Sequence, residues 1–177
     1  MSAALVWIPV SLAVAVAMEL WAGLLHGRIW HQALWGIHRS HHRRGATGLE
    51  ANDALSVLHA PIAIALILYG CAGAAGPLRE AAFGVGIGMT MFGAAYLVVH
   101  DGLVHGRLPV RALGRIPYFA RVARAHRVHH ATGHAPYGLF LGPWERRRAP
   151  VSEAPRLNAG DRSRTEAAEE ASRPPPP

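Results

Sequence analysis

Three blocks of this chain carry almost no charge, and they constrain its fold more than any other feature. From Ala3 to Leu25 the only acidic or basic side chain is Glu19, from Ala54 to Ala75 it is His59, and from Ala81 to Val99 there is none. The blocks run to 23, 22 and 19 residues, and about 20 helical residues cross the hydrocarbon core of a bilayer. Three buried helices of a soluble protein would need amphipathic helix to wrap them, and the rest of the chain is too short to supply it. The expected fold is therefore all-α: an integral membrane helical protein with three transmembrane helices, four at most. The first block reads as a span and not as a cleaved leader, because no basic segment precedes it and it is long for the apolar part of a signal peptide.

Composition narrows the class further. Of 177 residues, 51% are hydrophobic and 16% charged, too apolar for a disordered body. A single cysteine, Cys71, excludes a disulfide framework, a Cys-rich zinc fold and a Cys-ligated iron–sulfur cluster. All 18 basic residues are arginines, and the formal net charge is +7. Their placement explains that charge. Arg28, Arg39, Arg43 and Arg44 lie between the first two blocks, and Arg107, Arg111, Arg115, Arg121, Arg124 and Arg127 follow the third. The short turn between blocks two and three carries only Arg79 against Glu80. The positive-inside rule then puts the N-terminus outside and both Arg-rich segments in the cytoplasm. The charge reads as membrane topology, with anionic lipid headgroups as its natural neighbours, and no nucleic-acid partner is expected. From Arg146 the chain turns to Arg, Pro, Ser and Glu and ends in four prolines. The expected organisation is a membrane domain over residues 1–145 and a disordered tail over 146–177.

Ten of the 12 histidines form one pattern written twice. His26 and His31 are a His-x4-His pair, followed by His38, His41 and His42 as His-x2-His-His; His100 and His105 repeat the pair, and His126, His129 and His130 repeat the cluster. Residues three and four apart share a helix face, so each cluster can aim its imidazoles at one point. The x4 pairs fit a regular helix poorly, because five residues overshoot a full turn by about 140°; they suit a helix end with distorted backbone beyond it. Ten ligands exceed what one ion takes, so two metal ions with about five imidazoles each is the natural count. Imidazole alone does not name the metal. Glu-x-x-His is missing from the core, which excludes the carboxylate-bridged di-iron bundle, and there is no His-Glu-x-x-His motif.

Five further residues are candidates to support the metal ligands, which usually donate their second N–H to a carboxylate or carbonyl. Glu19 lies two turns before His26, Asp101 adjoins His100, Asn52 and Asp53 open the second block beside the first cluster, and His59 lies inside that block. His134, in a Gly- and Pro-containing loop, is not expected to be a ligand.

These residues resemble the membrane fatty acid hydroxylase superfamily, and within it the bacterial β-carotene 3-hydroxylases. The resemblance covers roughly residues 14–143. It rests on Met18-Glu19, the run His26 to Arg43, Glu50-Ala-Asn52-Asp53, and Gly93 to Pro109 with His100-Asp-Gly-Leu-Val-His105. Ala125-His126-Arg-Val-His129-His130-Ala131 completes it. The resemblance implies two non-haem iron ions held by the ten histidines, O₂ as co-substrate, and electrons from NAD(P)H through a reduced ferredoxin and its reductase. It implies a carotenoid substrate, with β-carotene passing through β-cryptoxanthin to zeaxanthin, at the cytoplasmic side of a bacterial inner membrane. Gln32 follows His31 where the family commonly has Gly, and Tyr137-Gly-Leu-Phe140 replaces a more usual Ser-Phe-Gly-Phe; these departures leave ring preference open. The alternatives are a related hydroxylase or desaturase acting on a sterol, fatty acid or ketocarotenoid, and a non-enzymatic reading as a His-rich membrane metal transporter.

Overall fold

The computed structural model describes residues 4–42 and 48–148; Arg43, Arg44 and the expected tail beyond Arg148 lie outside the described residues. Every regular element among the described residues is helical. The first is α1 (Ala4–Leu25), which passes directly into a π-helical turn, His26–Trp30. Short helices α2 (Trp35–His38) and α3 (Asp53–Ser56) lead to α4 (Ala60–Ala72). Helix α5 (Pro77–Tyr96) also runs into a π-helical segment, Leu97–Val104, and a 3-10 turn, α6 (Pro117–Thr132) and α7 (Gly142–Arg148) complete the chain.

Three stretches are long and apolar enough to cross a membrane: Val6–Trp30, Asp53–Ala72, in which α3 leads through one turn into α4, and Pro77–Val104. A helix satisfies all its backbone groups internally, which lipid requires. No fourth span occurs among the described residues, because α6 carries Arg121, Arg124 and Arg127 on its exposed side. Large apolar residues face outward along the spans: Ile8, Leu12, Val16, Leu20 and Leu24 form a stripe of period four on α1, and Ile62, Ile64 and Leu68 are exposed on α4. In water such a surface would be a liability; against lipid it is the expected exterior.

Helix α5 is the axis of the bundle, packing against α1 on one side and α4 on the other. Glycines set that arrangement. A Cβ at Gly84 would lie 2.8 Å from the Trp7 carbonyl oxygen, and one at Gly88 would lie 2.5 Å from that of Ser11. A Cβ at Gly86, on the opposite side, would lie 2.9 Å from the Ala63 carbonyl oxygen. Small residues four apart allow backbones to approach this closely, which is how membrane helices gain packing without a hydrophobic drive between them.

At one end of the bundle the two π-helical extensions, α2 and α6 form a polar cap. Helix α6 starts at Pro117, whose missing N–H costs nothing in a first turn, and stops at Gly133, in the left-handed region at φ 72°, where Gly133 N–H caps the His129 carbonyl at 2.7 Å. Helix α7 runs three residues past the boundary expected at residue 145, because Arg146, Arg147 and Arg148 continue its turns.

Candidate metal centre

The ten patterned histidines meet in the cap as two adjoining groups of five. One holds His26, His31, His38, His42 and His129; the other holds His41, His100, His105, His126 and His130. Within each group, one ring nitrogen from every member lies within 4.8 Å of those of the others. The groups touch, with the His42 and His130 rings stacked at 4.4 Å.

Local backbone geometry explains which histidine goes where. Both x4 pairs sit across π-helical turns, in which the His31 N–H bonds the His26 carbonyl and the His105 N–H bonds the His100 carbonyl, each at 3.0 Å. Bonding between residues five apart brings them onto one face, so the angular misfit expected for a regular helix disappears. The His-x2-His-His clusters behave differently from the expectation that each would aim at one point. The pairs four apart, His38/His42 and His126/His130, stay together, while His41 and His129 cross to the opposite group. Successive residues are about 100° apart around a helix, so adjacent His41 and His42, or His129 and His130, point to different centres.

Hydrogen bonds fix the ring orientations. His26 Nδ1–H donates to the Tyr137 carbonyl at 2.8 Å, His38 Nδ1–H to Asn52 Oδ1 at 2.7 Å, and His129 Nδ1–H to the His134 carbonyl at 2.7 Å. In the second group the partners are carboxylates: His100 Nδ1 lies 3.3 Å from Asp101 Oδ1, and His41 Nδ1 lies 3.3 Å from Glu50 Oε2, in poorer alignment. A neutral imidazole that donates from Nδ1 keeps a bare lone pair on Nε2. Yet the Nε2 atoms of His26 and His38 face each other at 3.0 Å, and those of His41 and His100 at 3.1 Å. Three more Nε2 pairs, His31–His129, His42–His38 and His130–His126, lie at 3.0–3.2 Å. The tenth, His105 Nε2, is buried without a hydrogen-bond partner. Between His26 and His38, which both donate from Nδ1, two lone pairs converge with no proton between them, and a cation at their focus removes that repulsion. The donor set thus fits a pair of metal ions, imidazole being a ligand for iron, zinc, copper and nickel.

Burial keeps these rings neutral. It lowers His31 and His38 to about 4, with neighbouring imidazoles adding to the effect. His105 and His129 fall to about 3 and His130 to about 2, again chiefly through burial. His41, His42 and His126 are lowered for the same first reason. At neutral pH these rings carry no second proton, so at least one nitrogen of each keeps its lone pair.

Of the five supporting candidates, two touch ligand rings directly: Asn52 on His38 and Asp101 on His100. Asp53 instead accepts from Arg107 Nη1 at 2.8 Å and from the Glu50 N–H at 2.8 Å, so its contact is with the support and not with a histidine. Glu19 does not reach His26. It accepts the Leu141 N–H at 2.8 Å, holding the loop whose Tyr137 carbonyl orients that ring. His59 joins neither group and accepts the Trp21 indole N–H at 2.9 Å. His134 contributes its carbonyl and not its ring.

Sequence reasoning did not assign Glu50, Arg107, Tyr137 or Glu145. Arg107 gathers Glu50 at 2.7 Å, Asp53 at 2.8 Å and Asp101 at 3.4 Å, and its pKa is raised, chiefly by the Asp53 hydrogen bond. Glu145 accepts the N–H groups of Tyr137 at 2.8 Å and Gly138 at 3.2 Å. Arg107 and Glu50 lie inside motif runs visible in the sequence, so their proximity to the boxes was the available signal. The carbonyl partners carry no sequence signal.

Beside the centre lies a cavity of about 680 Å³ between α1, α4 and α5. Its walls are apolar, including Met18, Leu25, Ala63, Ile64, Met89 and Phe92, and its polar end is Asp53, Asp101 and Arg107. Trp30 and Tyr96 line it and also meet imidazoles: Trp30 is 5.7 Å from His26 and His38, and Tyr96 stacks on His100 at 4.5 Å. These two rings are shared between the cavity wall and the histidine cap.

This architecture defines a class: helical membrane proteins whose spans carry a histidine-lined centre at one end. Residues 11–147 match the family described as fatty acid hydroxylase, and the chain belongs to that family. It is similar to β-carotene hydroxylase 1 of Capsicum annuum chloroplasts, with 46% identity over 78% of this chain and 44% of that protein. Against β-carotene 3-hydroxylase 2 of Arabidopsis thaliana chloroplasts the identity is 46% over 76% of this chain and 45% of that protein. Against the β-carotene hydroxylase of Pantoea ananas it is 39% over 82% of this chain and 83% of that protein. The chain thus spans under half the length of the chloroplast relatives and most of the bacterial one. No solved structure matches it.

Proposed function

We propose that the chain is a β-carotene 3-hydroxylase, an oxygenase that hydroxylates the β-rings of carotenoids by way of β-cryptoxanthin to zeaxanthin. The observation that carries this reading is the convergence of ten imidazoles on two points beside an apolar cavity between membrane-spanning helices, with Tyr96 in contact with both. The relatives' names supply the substrate class. In this reading His26, His31, His38, His42 and His129 hold one iron ion, and His41, His100, His105, His126 and His130 hold the other. Bound iron supplies the activation of O₂. The balance is R–H + O₂ + 2 e⁻ + 2 H⁺ giving R–OH + H₂O, so a reductant is required.

The chain's own groups do the rest. The apolar walls bind and orient a hydrocarbon that arrives laterally from the bilayer. Trp30 and Tyr96 exclude water between cavity and centre, and the Nδ1 partners of His26, His38, His100 and His129 hold those rings in one tautomer. The electron donor in this reading is a reduced ferredoxin-type protein, fed from NAD(P)H. Its charge complement is the outer side of the cap. Helix α6 buries His126 and His129 on one face and exposes Arg121, Arg124 and Arg127 on the other, with Arg111, Arg115, Arg146 and Arg147 exposed on the segments before and after it. In this reading the cap faces the cytoplasm at a bacterial inner membrane, an orientation its arginines support.

Expression in a β-carotene-accumulating bacterium, with pigment chromatography, tests the proposal. β-Cryptoxanthin and zeaxanthin are the expected products. Unchanged β-carotene from cells that hold membrane-inserted, iron-loaded protein overturns it.

A further inference from the structure

The two histidine groups are built alike, but their surroundings are not. Around the first group the Nδ1 acceptors are uncharged: the Tyr137 and His134 carbonyls and the Asn52 amide oxygen, at 2.7–2.8 Å. A carboxylate reaches this group only through an intervening peptide, where Glu145 accepts the Gly138 N–H while the Tyr137 carbonyl of the same peptide receives His26. Around the second group two carboxylates face the rings directly, Asp101 at His100 and Glu50 at His41, each at 3.3 Å. Arg107 fastens both, together with Asp53. One guanidinium against three carboxylates leaves net negative charge beside the second group and none beside the first.

From this geometry we infer that the two metal positions are unequal: Glu50, Asp101 and Arg107 make the His41/His100/His105/His126/His130 position the tighter one. The inference rests on the reading of the groups as metal-binding. A carboxylate behind an imidazole raises its basicity and fixes its orientation, and removing such a partner typically costs 10–100-fold in metal affinity. Negative charge beside a site also favours a cation there directly. Arg107 is a positioning residue in this scheme, holding Asp101 and Glu50 toward the rings while tempering their charge.

The test uses the full chain in detergent micelles, loaded with Co(II), with the visible bands and bound metal followed while a chelator extracts it. Two ions per chain leaving in two separate phases are expected. Asp101→Asn should speed the slow phase about 10–100-fold and leave the fast phase within about twofold, and Asp101→Glu should restore the slow phase. Asn52→Asp, which puts a carboxylate behind His38, should slow the fast phase and keeps the test intact if Asp101→Asn fails to fold. Two ions leaving the parent protein in a single phase overturn the inference alone, as does an Asp101→Asn effect equal on both phases. Fewer than two bound ions overturn the metal-binding reading and the inference with it.

Discussion

Gly27 is the point at which backbone packing and ligand geometry meet, and Gly27→Ala probes both. The residue follows His26 in the first π-helical turn. A Cβ there would lie 2.7 Å from Cδ2 of Tyr137 and 2.9 Å from its Cγ, against 3.4 Å for ordinary contact, so the ring must retreat by about 0.7 Å. That ring also packs against His26, His31 and His129, with centroids 5.3–5.8 Å away. The backbone of the same residue accepts the His26 Nδ1–H. Inserting a methyl group into packed surroundings costs about 1–3 kcal/mol, and a misplacement approaching 1 Å costs on the order of 10²-fold in rate where reacting groups must be aligned. The expected result is a lower melting temperature in detergent, weaker metal retention, and carotenoid hydroxylation reduced by one to two orders of magnitude. Gly36→Ala is the control, because a Cβ there meets nothing within 4 Å. If Gly27→Ala matches Gly36→Ala in melting temperature, bound metal and product formation, the reasoning that ties Tyr137 to the centre is refuted.

Three further outcomes follow from the same geometry. Gly88→Ala should destabilise the bundle by about 1–3 kcal/mol, since its Cβ would meet the Ser11 carbonyl at 2.5 Å, whereas Gly93→Ala, with nothing within 4 Å, should not; thermal melting of both variants decides this. The metal-free protein should hold its stability above about pH 6.5 and lose it as pH falls toward 4–3. The folded values of His38 and His129 are lowered to about 4 and 3, so the unfolded chain takes up protons first. Each of these buried rings then contributes a slope of up to about 1.4 kcal/mol per pH unit in that window, and a flat melting profile from pH 7 to 4 would contradict it. Charge reversal of Arg121 and Arg124 should raise the KM for an acidic protein reductant at least about tenfold and weaken its salt dependence, while activity with a small chemical reductant stays unchanged; equal loss with both reductants argues against the docking face.

The spans were legible because lipid imposes a simple rule, and Ala3–Leu25, Ala54–Ala75 and Ala81–Val99 each fall within or close to a helix the structure contains. Their ends were less legible. The first and third spans continue through a π-helical turn into the histidine boxes, and nothing in His26-Gly-Arg-Ile-Trp-His31 marks five-residue hydrogen bonding except the spacing of its two histidines. Which ten histidines assemble could be read from the repeat, and so could the division into two fives. The membership of each five could not, because it depends on how α2 and α6 face one another across the cap, and that is tertiary. Glu19 shows the same limit. Helical periodicity puts it beneath His26, but its carboxylate bonds the Leu141 N–H, so it supports the ring through a loop over a hundred residues away in sequence. Carbonyl partners such as those of Tyr137 and His134 exist wherever there is a backbone, so only coordinates can single them out.

The crossing of His41 and His129 has a consequence for how the cap holds together. Each half of the repeated pattern supplies four rings to its own group and one to the other: His26, His31, His38 and His42 are joined by His129, and His100, His105, His126 and His130 by His41. Had each half kept all five, either group could form on one half of the chain while the other remained open. With one ring exchanged in each direction, neither group is complete until α2 and α6 are both docked. Ion binding at either group, as proposed, therefore stabilises the contact between the halves and not only the fold of one. The same exchange places His42 and His130, members of different groups, face to face at 4.4 Å, so the spacing of the two groups is set by direct ring packing. A binuclear centre needs two positions at a fixed separation, and here that separation follows from the way one ring from each half is handed across.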